Sequence, residues 1–366
     1  MKITAIEPVL CALPLVASDA LPVKMGRQAD LLLVRVRTDE GLVGWGEVFA
    51  LGHSWKPALT ALQKTVAPRC IGKDPLAIAS LSRDVSYAIH QLGRSGSVML
   101  AWSGVEIALW DLLGKSLGVP LHRLFGGAQV QRLEAYASLP RYGQERVVAA
   151  RTAAALQRGY RSVKLHEVVP ACVHAAWSAA RDAQAWLMVD VNAEWTPPEA
   201  EEALRAMEDI PLRWLEEPLR PTDDYDALAR LRASCGVPIA AGEAVSSISD
   251  FHTALRANAL DWFQPSVSKL GGIGPMRRVM ELAADTAVEI APHTPQFGPA
   301  VLASLQLCAA LAPAAPMEHF FVDLAASPFG EAVLPRDGWF AVPDGPGLGR
   351  DPDPDVLKAT ALELPP

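Results

Sequence analysis

From residue 132 onward, short apolar runs alternate with longer amphipathic stretches. The runs are Leu133–Leu139, Arg161–His166, Trp186–Asp190, Leu212–Glu216 and Val237–Glu243; three more segments end at Gln264 to Ser266, His293 and Glu318. Runs of roughly four to eight residues separated by helical patterns read as buried parallel strands. The spacing between them predicts helices over about 145–158, 172–182, 197–208, 223–233, 247–257, 273–285 and 299–311. Eight strands joined by seven helices describe an α/β fold. A polar group closes each run: Lys164 and His166, Asp190, Glu216, Glu243. Asp190 and Glu216 are 26 residues apart, Glu216 and Glu243 27, close to the roughly 30 residues of a compact strand–helix unit in an eightfold barrel. A doubly wound sheet also alternates strand and helix, but a flat sheet would spread successive strand-end acids apart. A barrel brings them to one rim, where barrel active sites are built.

The first third reads differently. Residues 1–13 alternate weakly, as a strand does. Residues 14–30 lack a pattern and read as a long loop, of the kind that is functional or disordered. Leu31–Arg37 and Leu42–Val48 form a hairpin about Asp39-Glu40-Gly41. Residues 57–92 read as helices. A further helix over Ala101–Leu117 lines up Val105, Ala108, Leu109, Leu112 and Leu113, and Gly118 with Pro120 stops it. These elements make an α+β capping domain over residues 1–125, and Gly126-Gly127 marks the junction to a barrel over 126–326. Residues 327–366 are rich in Pro, Gly and Asp, with a hairpin or loop from Asp337.

Composition narrows the class. The chain has 366 residues, 50% hydrophobic and 20% charged, so it is globular rather than disordered. Its net charge of −8 argues against nucleic acid and anionic membrane as partners. Cys11, Cys70, Cys172, Cys235 and Cys308 are scattered and odd in number, as small core residues in a reducing compartment would be. The first residues, Met1 to Pro8, lack a long apolar stretch, and no uninterrupted apolar run of 18 residues occurs. The expectation is a cytoplasmic protein without a membrane span.

Three acids converging on one point cannot all stay ionised without a counter-charge. Oxygen-only ligands suit a hard divalent cation such as Mg²⁺. Asp190, Glu216 and Glu243 are therefore the expected ligands. Taken singly, each also reads as a strand-end acid capping a helix or facing solvent. Lys164 ends its strand beside them, and a cation nearby would depress its pKa and suit it as a base; alone, such a lysine is more often a surface salt bridge. His166, two residues on, shares its face of the strand and is equally readable as structural.

This set resembles the enolase superfamily, mandelate racemase/muconate lactonizing enzyme type, in its mandelate racemase-like subgroup. The matching residues are Lys164-x-His166, Asp190, Glu216-Glu217-Pro218, Gly242-Glu243, Lys269-x-Gly271-Gly272, His293 and Glu318, in order along nearly the whole chain. The resemblance implies a modified (β/α)7β TIM barrel whose C-terminal tail returns to the cap. It implies one Mg²⁺ and abstraction of the proton α to a carboxylate, giving a metal-stabilised enediolate. It implies an acid/base group on each side of the substrate carbon, Lys164 on one and His293 on the other, with Glu318 by the substrate carboxylate, donating to the enediolate if protonated. It makes residues 14–30 and 49–55 the loops that close over substrate, where Lys24, Arg27 and His53, with Arg94, are candidate contacts; Asn192 is a further substrate-binding candidate. This chain departs from the pattern at Ser266, where racemase-like members carry an Asp paired to the strand-seven His and muconate-cyclising members a Lys. Lys269 aligns with a residue that is basic and structural.

The reading is a lyase that dehydrates a polyhydroxy carboxylate, an acid sugar, to a 2-keto-3-deoxy acid. Lys164 takes the α-proton and His293 protonates the departing hydroxyl. A racemase, epimerase or sugar-lactone cycloisomerase would use the same intermediate. A barrel that binds a carboxylate without turnover is the alternative of another class, and Ser266 and His166 keep it open. A two-metal hydrolase barrel would want His-x-His on its first strand, and Arg132–Leu139 contains no histidine. The chain is expected to be a homo-oligomer acting on a small-molecule carboxylate.

Overall fold

In the computed structural model, which describes residues 1–16, 26–50 and 55–364, the alternation folds as the pattern predicts. Eight parallel strands curl in the order β10-β9-β8-β7-β6-β5-β4-β11. They are β4 (Arg132–Leu139), β5 (Ser162–Leu165), β6 (Trp186–Asp190), β7 (Leu212–Glu216), β8 (Ile239–Ala241), β9 (Trp262–Phe263), β10 (Glu289–Ile290) and β11 (Met317–Phe320), with one helix following each of the first seven. The barrel helices lie within three residues of the expected bounds at either end. Thr294 joins the exit of β10 to β11: its N–H donates to Glu318 Oε2 at 2.9 Å and its hydroxyl to the Glu318 carbonyl at 3.1 Å.

Period-two alternation sorts each strand into a helix-facing and a lumen-facing row. The lumen below the rim is filled by Tyr136, Met188, Trp214, Ala240, Trp262 and Ala291. Tyr136 and Trp214 meet edge to face with centroids 5.6 Å apart, and Trp214 and Trp262 are 5.0 Å apart. One lumen position above, β6 passes from Met188 to Asp190 and β7 from Trp214 to Glu216. An aromatic floor therefore supports the charged layer.

The N-terminal part contributes a separate antiparallel sheet in the order β1-β2-β3: β1 (Ile3–Pro14), β2 (Gln28–Thr38) and β3 (Val43–Val48). β2 starts at Gln28 rather than Leu31, because Pro14 pairs with Gln28 and extends the ladder into the expected loop. Trp55 Nε1 donates to Asp30 Oδ2 at 2.9 Å, so the ends of the two loop segments are tied together. The long helix runs Gly96–Leu117, five residues earlier than expected. It is apolar on nearly every face, so periodicity marks no start. Gly118, at φ +67°, ends it as expected. By length and apolarity this helix would suffice to cross a membrane, but most of it is buried here inside the fold, and its Glu106 and Asp111 are engaged internally.

The tail divides. β12 (Trp339–Ala341) pairs antiparallel with β4, so the stretch after Asp337 extends the barrel sheet instead of the cap. The last helix, Pro354–Thr360, leads to Ala361 and Leu362, which bridge to Cys11 and Leu10 of β1.

His319 lies on β11 between the lumen-facing Glu318 and Phe320, 7% exposed. Its Nδ1 is 2.7 Å from the Tyr160 hydroxyl, and Phe297, Phe321 and Phe340 surround it edge-on. Burial pushes its imidazole down to about 4, although Asp323 pulls upward. In the unfolded chain the ring takes a proton near 6.5. Between those values the unfolded state binds more protons, so stability falls as pH drops from about 6.5 to about 4, at up to ~1.4 kcal/mol per pH unit. His319→Phe is expected to lose part of that acid sensitivity, read as a smaller drop in urea midpoint between pH 7 and pH 4.5. A drop equal to that of the unsubstituted protein would show that His319 titrates alike in the folded and unfolded chain.

Candidate active site

The rim of the barrel is built by turns that leave regular strand geometry directly behind each acid. Asn192 and Ala193, after Asp190, sit at φ +47° and +58°; Glu217, after Glu216, sits at +43°. Residues other than glycine held there store about 1–3 kcal/mol each. Backbone bonds hold them: Val191 N–H to the Glu216 carbonyl, Ala193 N–H to the Glu217 carbonyl, Glu217 N–H to the Ala240 carbonyl. Before Glu243 the turn is made by Gly242 at φ +124°, where a Cβ would stand 2.8 Å from the Phe251 ring. Glu243 thus lies just beyond β8, and Asp190 and Glu216 are register partners.

These turns bring one carboxylate oxygen each from Asp190, Glu216 and Glu243 within 4.8 Å of one another. Asp190 and Glu216 are 1% and 0% exposed. Asp190 Oδ1 is occupied, accepting both the N–H and the side-chain amide of Asn192. Asp190 Oδ2 is buried and faces His166 Nε2 at 3.2 Å and Lys164 Nζ at 3.4 Å. Glu216 Oε2 accepts from Trp214 Nε1 at 2.9 Å and Gln264 Nε2 at 2.6 Å. Burial pushes Glu216 well above the usual carboxylate range; Asp190, Glu318 and Glu243 add to this and Lys164 opposes it. Closely converging carboxylate oxygens, an oxygen-only donor set and mutual repulsion together fit a hard divalent cation.

Lys164 projects into the cluster from β5. Its Nζ lies 2.6 Å from Glu216 Oε1, 3.0 Å from Glu318 Oε1 and 3.4 Å from Asp190 Oδ2. Burial works downward on its pKa, but Glu216, Glu318 and Asp190 outweigh it and hold the ammonium well above its ordinary value. Glu318 accepts the Thr294 N–H at Oε2 and faces Lys164 at Oε1. Burial opposes its ionisation, yet Lys164 and His293 pull its carboxyl down to about 2.

Two imidazoles flank the triad from opposite ends. His166 Nε2 is 3.2 Å from Asp190 Oδ2, and its Nδ1 is 2.6 Å from the Leu139 carbonyl. Both ring nitrogens therefore face acceptors, which an imidazolium satisfies. Burial would lower His166, but Asp190 outweighs it and the ring titrates above its usual range. His293 Nε2 is 3.1 Å from Glu243 Oε2, while its Nδ1 is buried with no partner among the described residues. Burial pushes His293 down to about 4 against the pull of Glu243. Ser266 does not supply the missing partner: its hydroxyl is 3.2 Å from that of Ser268. Only the His293 N–H reaches this segment, at the Pro265 carbonyl.

Asn192, expected at the substrate, is exposed and orients Asp190. Arg27 is exposed before β2, and no hydrogen bond or ion pair joins it to the rim among the described residues. Arg94 is exposed on the cap. Lys24 and His53 lie outside the described residues. Sequence reasoning passed over Trp214 and Gln264, although period two places Trp214 on the face of Glu216. It also passed over the rim role of Lys269, whose Nζ is 3.4 Å from Glu243 Oε1 and 4.3 Å from the centre of the Phe49 ring. No local pattern announces that contact.

Comparison with known proteins agrees with this architecture. Residues 11–126 match the mandelate racemase/muconate lactonizing enzyme N-terminal domain, and residues 147–356 the enolase C-terminal domain-like family. The chain is 32% identical to D-galactarolactone cycloisomerase from Agrobacterium fabrum over 98% of each chain. It is 31% identical to L-talarate/galactarate dehydratase from Salmonella typhimurium, over 93% of this chain and 86% of that protein. A racemase from Streptomyces coelicolor, solved with bound magnesium, superposes with a TM-score of 0.84 at 27% identity, over 98% of this chain and 100% of that one. A capped (β/α)7β barrel, the acid triad at its rim and family matches spanning both parts place this chain in the enolase superfamily, among the mandelate racemase/muconate lactonizing enzyme-type proteins.

Proposed function

We propose that this protein is a Mg²⁺-dependent hydro-lyase that dehydrates an acid sugar to a 2-keto-3-deoxy acid. The observation that carries the reading is the triad of Asp190, Glu216 and Glu243 with an imidazole at each end, His166 on Asp190 and His293 on Glu243. The three carboxylates would hold the cation. When bound, it supplies Lewis-acid neutralisation of the charge that develops on the substrate carboxylate. Residues 1–125, with the end of the tail, act as the cap, and 126–326 as the catalytic barrel.

The chain's own groups divide the proton work. His293 has one acceptor and retains a lone pair, so it takes the α-proton. His166 faces two acceptors and carries both ring protons, so it returns one to the β-hydroxyl, which leaves as water. The enol that remains tautomerises to the 2-keto acid. Lys164, 1% exposed and held by three carboxylates, balances their charge. This reverses the division suggested by the sequence, because the hydrogen-bond partners push the two flanks apart in protonation, as acid and base require. Cycloisomerisation of a sugar lactone is the second reading, favoured by the 32% identity to a cycloisomerase over almost the whole chain.

Three measurements test this. Chelation is expected to abolish turnover and leave the circular dichroism spectrum largely unchanged; full turnover of the metal-free protein would reject the metal role. In Mg²⁺ titrations, Glu216→Gln should weaken binding roughly tenfold or more and Glu217→Gln less, since Glu217 Oε1 accepts from Gly242 N–H at 3.1 Å instead of joining the triad; equal losses would mean that the wrong carboxylate is assigned. With a substrate found by screening acid sugars for 2-keto products, His293→Asn should abolish exchange of the α-proton with D₂O. His166→Asn should retain exchange and lose product. Exchange lost only in Lys164→Ala, with Mg²⁺ binding intact, would return the base to Lys164.

A further inference from the structure

The two flanks of the rim are supported by different parts of the molecule. His166 is held within the barrel: Leu139 accepts from its ring, and Arg141 Nε donates to its carbonyl while pairing with Glu194. The flank of Lys269 and His293 is held from the cap. Behind Lys269 the chain turns at Gly271-Gly272 into the helix Ile273–Ala284. Gly271 N–H donates to Ser103 Oγ at 2.9 Å, and Glu106 accepts from Ile273 N–H at 2.6 Å and Gly274 N–H at 2.9 Å. Gly272, at φ +102°, fits so closely that a Cβ would lie 2.1 Å from Glu106 Oε2. Behind His293, the helix Pro299–Leu311 begins with Ala300 N–H donating to Glu47 Oε2 at 2.9 Å. Ser103, Glu106 and Glu47 all belong to the N-terminal part and are 0%, 1% and 3% exposed. Two residues beyond Glu47, Phe49 lays its ring 4.3 Å from Lys269 Nζ and 5.9 Å from the His293 ring.

We propose that Glu106 and Glu47 are positioning residues of the cap, which fix the rim segments bearing Lys269 and His293 by capping the two barrel helices that follow them. Side-chain oxygens at helix N-termini satisfy N–H groups that the helix leaves unpaired. Here they do so across the boundary between cap and barrel, with Phe49 seated on the same two side chains. Seating the cap therefore completes one half of the rim and leaves the His166 half unaffected. The functional part of this inference rests on the acid/base reading of His293; the structural part does not.

The two carboxylates differ in a way that makes the proposal testable. Glu106 uses both oxygens, Oε2 for Ile273 and Oε1 for Gly274 and for Trp110 Nε1 at 2.8 Å. A glutamine there turns one acceptor into a donor facing a donor. A glutamine in place of Glu47 keeps a carbonyl for Ala300. Hydrogen–deuterium exchange, which needs no substrate, reads this directly. Glu106→Gln is expected to speed exchange of residues 270–275 roughly tenfold or more with little change at 163–167, and Glu47→Gln to change residues 298–302 little. Ser103→Ala, which removes the bond to Gly271 and one within its own helix to the Met99 carbonyl, should speed exchange at Gly271 and serves if Glu106→Gln fails to fold. Unchanged exchange at 270–275, or acceleration spread evenly over the chain, overturns the proposal. With an assayable substrate, Glu106→Gln should lower kcat by roughly ten- to a hundredfold and change KM much less. Localised loosening with kcat intact would leave the anchoring and remove its link to His293.

Discussion

Three like charges in a buried space under 5 Å across constrain everything around them. At an effective dielectric of about 20, each pair of unit charges at 4.8 Å repels by about 3 kcal/mol. No side chain in the triad can relax away, because each is fixed by a turn and by the strand behind it. The surroundings must therefore supply positive charge and hydrogen-bond donors from every side. They do so with Lys164 below, His166 and His293 at the ends, Lys269 beyond Glu243, and Trp214, Gln264 and Asn192 as neutral donors.

The floor has the opposite requirement. Tyr136, Trp214 and Trp262 exclude water from the lumen beneath the cluster, which strengthens each charge interaction above them and makes an unpaired charge expensive. Trp214 serves both layers, with its indole packed between two aromatic rings and its N–H on Glu216. Strain enters for the same reason. A regular strand end would carry Asp190 and Glu216 past the rim, whereas left-handed turns behind them aim the carboxylates inward, and several backbone bonds per turn keep the strain in place.

The fold and the triad were legible because both rest on local regularities: period two within strands, a repeat near 27 residues between them, and a polar residue closing each run. The tail hairpin was assigned away from the barrel because three residues, Trp339–Ala341, pair with a strand some 200 positions earlier, and no local pattern fixes such a partner. The sequence shows Lys164 next to the acids but not that three of them touch it; those contacts are set by the fold alone. The Glu106 and Glu47 caps were invisible because each joins residues more than 160 positions apart.

The position of Lys164 bears on how the site fills. Its ammonium lies on Glu216 and reaches toward Asp190, two of the three carboxylates that a divalent cation would use, and also holds Glu318. A cation entering the triad shares Glu216 and Asp190 with Lys164. The lysine need not leave, because Glu318 stands on its far side and is already ionised. Asp190, Glu216 and Glu318 face Lys164, and Glu243 faces Lys269; ionised, the four carboxylates exceed the two ammoniums by two charges, which a divalent cation balances. On this count the cluster is closest to neutral when the cation is present.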